Sequence, residues 1–518
     1  MSSGSSAVDV VLVGVDGGTE SIRVMCTTRQ GHVLAAAAAP YATSYPYPGW
    51  AEQQPDSWYS ALCLAFKQAM QALTLDQVNA IKAICIDTTC CSVVALDASQ
   101  EPVRPCLLWM DMRSGVEHTE KVLQTNDVAL RVNSGGSGPV SAEWMVPKAL
   151  WIKENEPSTW SQTAYLGEYQ DFINLKLTGK WIASTNNTTV RWHWTRGNPP
   201  LSLLKALNLE DVVEKWPAEA IAPGEVVGNL TKGALHDLGL PQDAEIVVAQ
   251  GGADAFIGMV GLNVLRPGEL ALITGSSHLH LGVTDSGTSS GEGVFGAYED
   301  GLMPGVHVVE GGQTSTGSVV AWYRRLLGDG VSYDVLNEEA AAIPIGCDGL
   351  VCQEHFQGNR TPHTDALSRG AIVGLTLKHT RAHIYRSILE AVSFGTRLIL
   401  ETMRDKAGYR PTVIVVAGGV TRSPLWLQIT ADVVGVPLRL TKCTDAPSLG
   451  CAILAASAIR LYPSVTAAAE SMVAVDRTIE PNMEAHRAYE PFYRAYVDTY
   501  QATRGVVAAL RSTTAAQT

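Results

Sequence analysis

Residues 10–27, VVLVGVDGGTESIRVMCT, combine two apolar runs with a glycine turn between them. Residues 10–15 form a continuous apolar run that predicts a buried strand, and residues 22–27 predict its partner. The intervening Asp16-Gly17-Gly18 is typical of the tight turn of a hairpin. This stretch therefore predicts a strand, glycine turn and strand at the start of an α/β domain.

The same device recurs in the middle of the chain. Residues 269–274 and 279–283 are apolar runs, and Gly275-Ser276-Ser277 is the turn between them. Duplication of such a unit predicts an α/β protein of two similar domains that face each other across a central cleft. We expect the domain boundary near residue 260, which gives an N-terminal domain of residues 1–260 and a C-terminal domain of residues 261–518.

Composition and charge exclude several classes of protein. The chain has 518 residues, 46% hydrophobic and 17% charged, with a net charge of −13. This charge argues against a nucleic-acid partner, which needs clustered Lys and Arg. Residues 1–7 lack the features of a signal peptide, and no apolar run is long enough to cross a membrane. The ten cysteines lack zinc-site spacing, and they predict reduced thiols in a cytoplasmic protein.

The first glycine turn has the residue types of a phosphate-binding loop. Gly17 and Gly18 allow backbone N–H groups to approach a phosphate, and the hydroxyl groups of Thr19 and Ser21 can add donors. Asp16 at the strand end can hold Mg²⁺ through water, because hard cations prefer oxygen ligands. An ordinary hairpin turn has the same residue types, so the motif alone leaves both interpretations open.

Two later motifs suit the same ligand. Thr274-Gly275-Ser276 at the second hairpin repeats the glycine and hydroxyl pattern, and a triphosphate would be bound from both sides by two such loops. Gly418-Gly419 follows a predicted strand at residues 413–416, and it permits close packing of a flat ring. Ser423 opens the next helix, whose N-terminus favours negative charge.

A lone carboxylate, Asp254, follows the strand predicted at residues 245–249. A carboxylate after a strand is usually a helix N-cap, and the helical pattern that follows agrees with this role. Its place beside the expected domain boundary instead suits a catalytic base in the cleft.

Together these motifs resemble the FGGY carbohydrate kinases, which share their fold with actin, hexokinase and Hsp70. The most specific likeness is Gly370-x-Ile372-x-Gly374-Leu375 followed by His383-Ile384-x-x-Ser387-Ile388-Leu389-Glu390, and Asn359-Arg360-Thr361-Pro362 precedes it. The resemblance implies that residues 16–21 and 274–276 are phosphate loops, with Asp16 near the metal. It further implies that Gly418 and Gly419 line the adenosine pocket and that Asp254 is the catalytic base.

The motifs indicate less clearly which sugar is the substrate. The resemblance implies a sugar pocket formed by the tip Asp87, Thr88 and Cys90, by Glu143, and by Asp254. Glycerol kinases carry an Arg-Glu pair where this chain has Cys90-Cys91, which argues against glycerol. The tip is similar to that of the ribulokinase and ribitol kinase branch, and it most resembles the D-ribulokinase-like members.

The sequence thus predicts an ATP- and Mg²⁺-dependent kinase that phosphorylates a terminal hydroxyl of a pentulose, with D-ribulose first. L-ribulose, ribitol and xylulose remain alternatives, and a non-catalytic sensor that binds ATP and sugar is the alternative from another class. The expected partners are the sugar and ATP, without nucleic acid or membrane. The sequence leaves the oligomeric state open, a homodimer included.

Overall fold

The computed structural model describes residues 10–132, 140–328 and 330–515, which divide into two units. The first unit holds the chain up to Leu265, Tyr298–Val308 and Asp445–Ala474. The second holds Arg266–Ala297, Val309–Thr444 and the chain from Val475 onward. Two segments thus return to the first unit, an arrangement that a single boundary near residue 260 does not describe.

Both units contain strands and helices. The strands are β1 (Val11–Gly17), β2 (Ser21–Thr28), β3 (Val33–Pro40), β4 (Glu52–Gln53), β5 (Ile81–Thr88), β6 (Val93–Leu96), β7 (Cys106–Leu107), β8 (Tyr165–Glu168), β9 (Ala183–Ser184), β10 (Ala220–Ile221), β11 (Val226–Asn229), β12 (Val247–Ala249), β13 (Glu269–Thr274), β14 (His278–Thr284), β15 (Phe295–Met303), β16 (Val306–Gln313), β17 (Val351–Gln353), β18 (Ala371–Val373), β19 (Val413–Gly418), β20 (Leu438–Thr441) and β21 (Val475–Ile479). The helices are α1 (Pro55–Met70), α2 (Leu75–Asn79), α3 (Gly115–Gln124), α4 (Met145–Asn155), α5 (Pro157–Gln162), α6 (Tyr169–Thr178), α7 (Thr185–Arg191), α8 (Leu201–Ala206), α9 (Lys232–Leu238), α10 (Asp254–Gly261), α11 (Gly317–Leu326), α12 (Tyr333–Ala341), α13 (Arg381–Ala407), α14 (Pro424–Val434), α15 (Ala446–Ala458), α16 (Val465–Met472) and α17 (Met483–Ala515).

The main sheet of the first unit has the strand order β11-β12-β5-β1-β2-β3. β1 and β2 form the expected antiparallel hairpin, and β5 lies parallel to β1 on its other side. The register pairs Asp16 with Asp87, so that both carboxyl groups lie at the same end of the sheet. Buried aromatic residues of α1 and α6, including Trp58, Phe66 and Phe172, form the core beneath it.

The other large sheet, most of whose strands belong to the second unit, repeats this arrangement with the strand order β15-β16-β14-β13-β19-β20-β21. β13 and β14 form an antiparallel hairpin, β19 lies parallel to β13, and Thr274 pairs with Gly418. Helices α13, α14 and α17 supply core residues such as Ile388, Leu427 and Tyr489. The predicted two-domain α/β fold with duplicated hairpins is therefore confirmed.

Close glycine contacts explain why α15 belongs to the first unit. A Cβ atom on Gly14 of β1 would lie 1.9 Å from the carbonyl oxygen of Ser448, so only glycine fits there. A Cβ on Gly261 would lie 1.8 Å from the carbonyl oxygen of Ala446. These contacts seat α15 against β1 and α10, and they bring its N-cap, Asp445, to the edge of the sheet that carries Asp16.

The predicted bounds agree well with the structure where the chain carries local stop signals. The strand at residues 269–274 is found as predicted, and the long helix α13 spans Arg381–Ala407. It ends where Gly408 adopts a left-handed conformation with φ of 66°. Among the described residues, no helix is sufficiently long and apolar to cross a bilayer.

Candidate active site

The tip of the β1–β2 hairpin presents unused backbone donors. Gly18 N–H donates to the Ser21 carbonyl at 3.1 Å and closes the turn. Within the described part of the chain, no acceptor takes the backbone N–H of Thr19 or of Glu20. The Glu20 side chain is exposed, while Thr19 Oγ1 accepts a hydrogen bond of 3.0 Å from Trp109 Nε1. Two adjacent free N–H groups form a concavity of the kind that binds anions.

The tip of the β13–β14 hairpin in the second unit has the same property. The Ser276 carbonyl accepts from Thr316 N at 3.0 Å and from Ser318 N at 3.2 Å, and Thr316 Oγ1 donates to the Gly275 carbonyl at 3.4 Å. A trans peptide points its N–H away from its C=O, so the N–H groups of Ser276 and Ser277 face the opposite side. Neither of these N–H groups has an acceptor among residues 10–132, 140–328 and 330–515.

Carboxylates gather at the end of the first unit's sheet. Asp16 and Asp87 are buried beside each other, and each has an Oδ1 atom without a donor among the described residues. Arg23 forms an ion pair with Asp16, and the Asp445 carboxylate interacts electrostatically with both. Burial raises the pKa of Asp87 well above its ordinary value, and nearby Cys451 and Asp16 raise this pKa further. A proton shared between Asp16 and Asp87 would satisfy both unpartnered oxygens.

Asp254 lies next to this cluster as the first residue of α10. The N-cap position is occupied by Ala253, and the Asp254 carboxylate accepts from Ala255 N at 2.7 Å. Burial, followed by the repulsion of Asp16, raises the pKa of Asp254 to about 7, although the Ala255 N–H opposes this. The side chain stays half-buried rather than enclosed. A carboxylate poised near neutral pH at an accessible position suits a general base.

The glycines before Asp254 serve packing rather than phosphate binding. A Cβ on Gly251 would lie 1.8 Å from the carbonyl oxygen of Ile86, and one on Gly252 would lie 2.7 Å from Asn186 Oδ1. Asn186 Oδ1 in turn accepts from Ala253 N at 2.9 Å. The turn is therefore held tightly between β5 and α7, which fixes where Asp254 emerges.

The donor set around Asp16 fits a magnesium ion. Asp16 and Asp445 interact electrostatically and offer only carboxylate oxygens. Oxygen ligands of this kind suit a hard divalent cation that retains several waters. Arg23 also pairs with this cluster through Asp16, and because about half of its side chain is exposed it can complement a phosphate.

The predicted sugar-binding tip lies directly beyond β5. Asp87 and Thr88 are fully buried, so their side chains have no exposed surface, whereas Cys90 is half-buried. Thr88 N donates to the Gly252 carbonyl at 3.0 Å, which places the tip beside the turn that carries Asp254. The structure thus brings Thr88, Cys90 and Asp254 to one end of the same sheet.

Two buried charged residues hold this tip. Glu168 accepts from Cys91 N at 2.7 Å and from Asn187 Nδ2 at 3.0 Å. Lys148 Nζ donates to the carbonyl oxygens of Cys91 at 2.8 Å and of Leu108 at 2.5 Å. Both side chains are completely buried, and their hydrogen bonds fix the backbone on either side of Cys91.

Glu143 precedes α4 and is half-buried. Its Oε2 accepts from Ser141 Oγ at 3.2 Å, and its backbone N–H donates to the same hydroxyl at 3.2 Å. This local turn gives Glu143 a defined orientation, but its contact with substrate stays a prediction.

The Gly418-Gly419 pair follows β19 in the second unit. Gly418 has φ of 94°, and a Cβ there would lie 1.9 Å from the Thr274 carbonyl oxygen. Gly419 is exposed, with open space where its Cβ would be. Ser423 caps α14 by accepting from Trp426 N at 3.3 Å, and its hydroxyl donates to Asn337 Oδ1 at 3.1 Å. Gly418 is thus fixed by its packing against Thr274, whereas the part that Gly419 plays in an adenosine pocket stays a prediction.

Four residues without a predicted role contact the predicted site residues or their neighbours, namely Arg23, Lys148, Glu168 and Asn337. Arg23 lies in the first hairpin, close to the predicted phosphate loop, so its type and position could have signalled a role. Glu168 and Asn337 carry no local signal, because they reach the sites across the chain fold.

Most of the chain matches one protein family. Residues 11–261 match the N-terminal domain, and residues 270–459 the C-terminal domain, of the FGGY family of carbohydrate kinases. The FGGY carbohydrate kinase domain-containing protein of Xenopus laevis is 31% identical, covering 94% of this chain and 96% of its own length. A xylulose kinase of Staphylococcus epidermidis is 27% identical, with coverage of 98% and 100%. A ribulokinase of Shouchella clausii is 29% identical, with coverage of 93% for each chain.

A solved structure supports the same fold. The protein described as a xyloylose kinase from Brucella ovis matches with a TM-score of 0.86 and 24% identity, over 96% of this chain and 100% of that one. At this identity the likeness concerns the fold alone.

Proposed function

Because the chain belongs to the FGGY family of carbohydrate kinases and is thus an ATP-dependent sugar kinase, we propose that its substrate is a pentulose, with D-ribulose preferred, phosphorylated at a terminal hydroxyl. The observation that carries the mechanism is the half-buried Asp254 with a pKa of about 7, at the sheet end that also holds Asp16.

In this proposal Asp254 accepts the proton of the terminal sugar hydroxyl as that oxygen attacks phosphorus. In the first unit the free N–H groups of Thr19 and Glu20 offer donors to phosphate oxygens of ATP. In the second unit the free N–H groups of Ser276 and Ser277 offer the same kind of donors, and these groups support the phosphate-binding role predicted for each loop. Asp16, with Asp445 nearby, would hold Mg²⁺, whose charge would stabilise the phosphates when it is bound.

The proposed preference for D-ribulose rests on the sequence of the tip between β5 and β6. This tip has Cys90-Cys91 where glycerol kinases carry an Arg-Glu pair, and of its predicted substrate residues Cys90 is the half-buried one. Relatives named ribulokinase and xylulose kinase are similarly close, at 29% and 27% identity, which supports a five-carbon ketose. The tip's likeness to D-ribulokinase-like sequences favours ribulose over xylulose.

We expect D-ribulose to give the highest kcat/KM in an ADP-coupled assay that also tests L-ribulose, xylulose, ribitol, arabinitol, erythritol and glycerol. The kcat/KM for glycerol should be at least ~10-fold lower. A site that hydrogen-bonds each hydroxyl of its substrate keeps unpaired polar groups when it binds a shorter polyol. Asp254→Asn protein serves as the blank for contaminating kinases. Xylulose as the best substrate would contradict D-ribulose but keep the pentulose class, and glycerol as the best substrate would overturn both.

A further inference from the structure

Three consecutive carbonyl groups of the first phosphate loop accept hydrogen bonds from residues outside the loop. The Tyr41 hydroxyl donates to the Gly18 carbonyl, and Gln53 Nε2 donates to the Thr19 carbonyl at 2.7 Å. The backbone N–H of Tyr41 donates to the Glu20 carbonyl at 3.1 Å. Two residues outside the motif thus fix the orientation of its peptide planes.

This anchoring decides where the loop's N–H groups point. The Gly18–Thr19 and Thr19–Glu20 peptides are trans, so each N–H is directed opposite to the carbonyl of its own peptide. Because the Gly18 and Thr19 carbonyls face Tyr41 and Gln53, the N–H groups of Thr19 and Glu20 face the other side. Neither of these two N–H groups has an acceptor in the described structure.

The two anchoring side chains are themselves held in one orientation. Trp58 Nε1 donates to Gln53 Oε1 at 2.7 Å, and an indole N–H can only donate. The Gln53 amide nitrogen must therefore face Thr19, which removes the ambiguity of an amide flip. The Tyr169 hydroxyl donates to the Tyr41 hydroxyl oxygen at 3.5 Å and leaves the Tyr41 proton for Gly18. Tyr41, Gln53, Trp58 and Tyr169 are all buried.

We propose that Tyr41 and Gln53 are positioning residues for the nucleotide phosphates, acting through the backbone N–H groups of Thr19 and Glu20 without touching ATP. The proposal rests on the proposed phosphate-binding role of this loop. It also accounts for a charged residue at position 20, because the loop uses the backbone of Glu20 and exposes its side chain.

The test compares Tyr41→Phe with the control Tyr59→Phe in the full-length enzyme. Tyr59 lies on α1 of the same unit, and its hydroxyl donates to Asp237 Oδ2 at 3.1 Å, away from the loop. Each variant keeps its ring and loses the hydrogen bond that its hydroxyl donates, and Tyr41→Phe also loses the longer bond of 3.5 Å that the hydroxyl accepts from Tyr169. Thermal unfolding of both variants therefore measures any difference in general stability. We expect Tyr41→Phe to raise the KM for ATP and its Kd by about 3- to 10-fold, the effect of one lost hydrogen bond. The sugar Kd without nucleotide should not change in either variant.

Gln53→Glu provides a second variant, because it retains the acceptor for Trp58 but replaces the donor to Thr19 with a carboxylate oxygen. We expect the KM for ATP to rise at least ~10-fold, with the sugar Kd again unchanged. ATP affinities of both variants within twofold of Tyr59→Phe would overturn the positioning role. A wild-type protein that phosphorylates no sugar in the panel would instead defeat the proposed function, while the calorimetric Kd for ATP would still decide this proposal.

Discussion

Asp254→Asn should lower kcat by about 10²- to 10⁴-fold, the usual cost of removing a general base, while sugar affinity stays close to that of the wild type. The amide keeps the shape of the side chain and its capacity to accept from Ala255 N, but it cannot take a proton. Losing or weakening one hydrogen bond to a sugar hydroxyl costs only about 0.5–1.5 kcal/mol. Steady-state kinetics and calorimetry on the same variant therefore separate catalysis from binding.

The matched control is Asp243→Asn, which alters an exposed aspartate in a turn of the same unit. It should leave kcat unchanged. A kcat of Asp254→Asn within a few-fold of this control would refute the role of Asp254 as base. A helix-capping role would not explain a large loss, since Ala253 occupies the N-cap and asparagine caps about as well as aspartate.

Asp254→Asn should lower kcat without lowering the apparent Tm. The reason is that the pKa of Asp254 is raised to about 7 in the folded protein. In the unfolded chain the carboxyl ionises near pH 4, so between about pH 4 and pH 7 the unfolded state loses its proton first. Ionisation therefore destabilises the ligand-free fold increasingly up to pH 7. We expect the apparent Tm of Asp254→Asn to equal or exceed that of the wild type at pH 8, with the difference vanishing near pH 4.

The hairpins and their glycine tips could be predicted from sequence because their signals are local. An apolar run of six residues, a turn and a second run specify the pairing of β13 with β14 without knowledge of the rest of the chain. The pairing of β1 with β5 and of β13 with β19 was not specified by these signals, because a hairpin does not determine which later strand lies beside it. The return of α15 to the first unit was not predictable, because it depends on close contacts such as Gly14 with Ser448.

The residues that orient the candidate site could not be predicted either, because they contact it from distant positions in the sequence. Tyr41 and Gln53 contact the first loop across 23 and 34 residues, and Glu168 and Lys148 contact Cys91 across 77 and 57 residues. No spacing rule connects such positions in a single sequence. Motifs predicted which groups could meet ATP and sugar, whereas the polar residues that orient those groups became visible only in the folded structure.

Gly418→Ala should lower kcat/KM for ATP by more than ~100-fold, because displacements of about 1 Å near a reacting group can cost this much. Its φ of 94° is reserved for glycine, and a Cβ would lie 1.9 Å from the Thr274 carbonyl oxygen. Relief of this clash must shift the end of β19 away from Thr274, whose hydroxyl donates to the Ala417 carbonyl at 2.6 Å. Thr274 leads directly into the tip at Gly275, so the second loop moves with it. We also expect a lower apparent Tm in thermal unfolding.

Gly419→Ala is the matched comparison, one residue further along the chain. Gly419 begins a short 3₁₀ helix, and a Cβ there would meet nothing within 4 Å, so the change should leave the apparent Tm within about one degree of the wild type. Any loss of ATP affinity in this variant then reports a methyl group that intrudes on the nucleotide rather than a distorted strand. We expect the Kd for ATP to rise about 10-fold, equivalent to about 1.4 kcal/mol, while the sugar Kd stays unchanged. An unchanged ATP affinity would remove Gly419 from the adenosine site and leave Gly418 with a structural role, holding the end of β19 against Thr274.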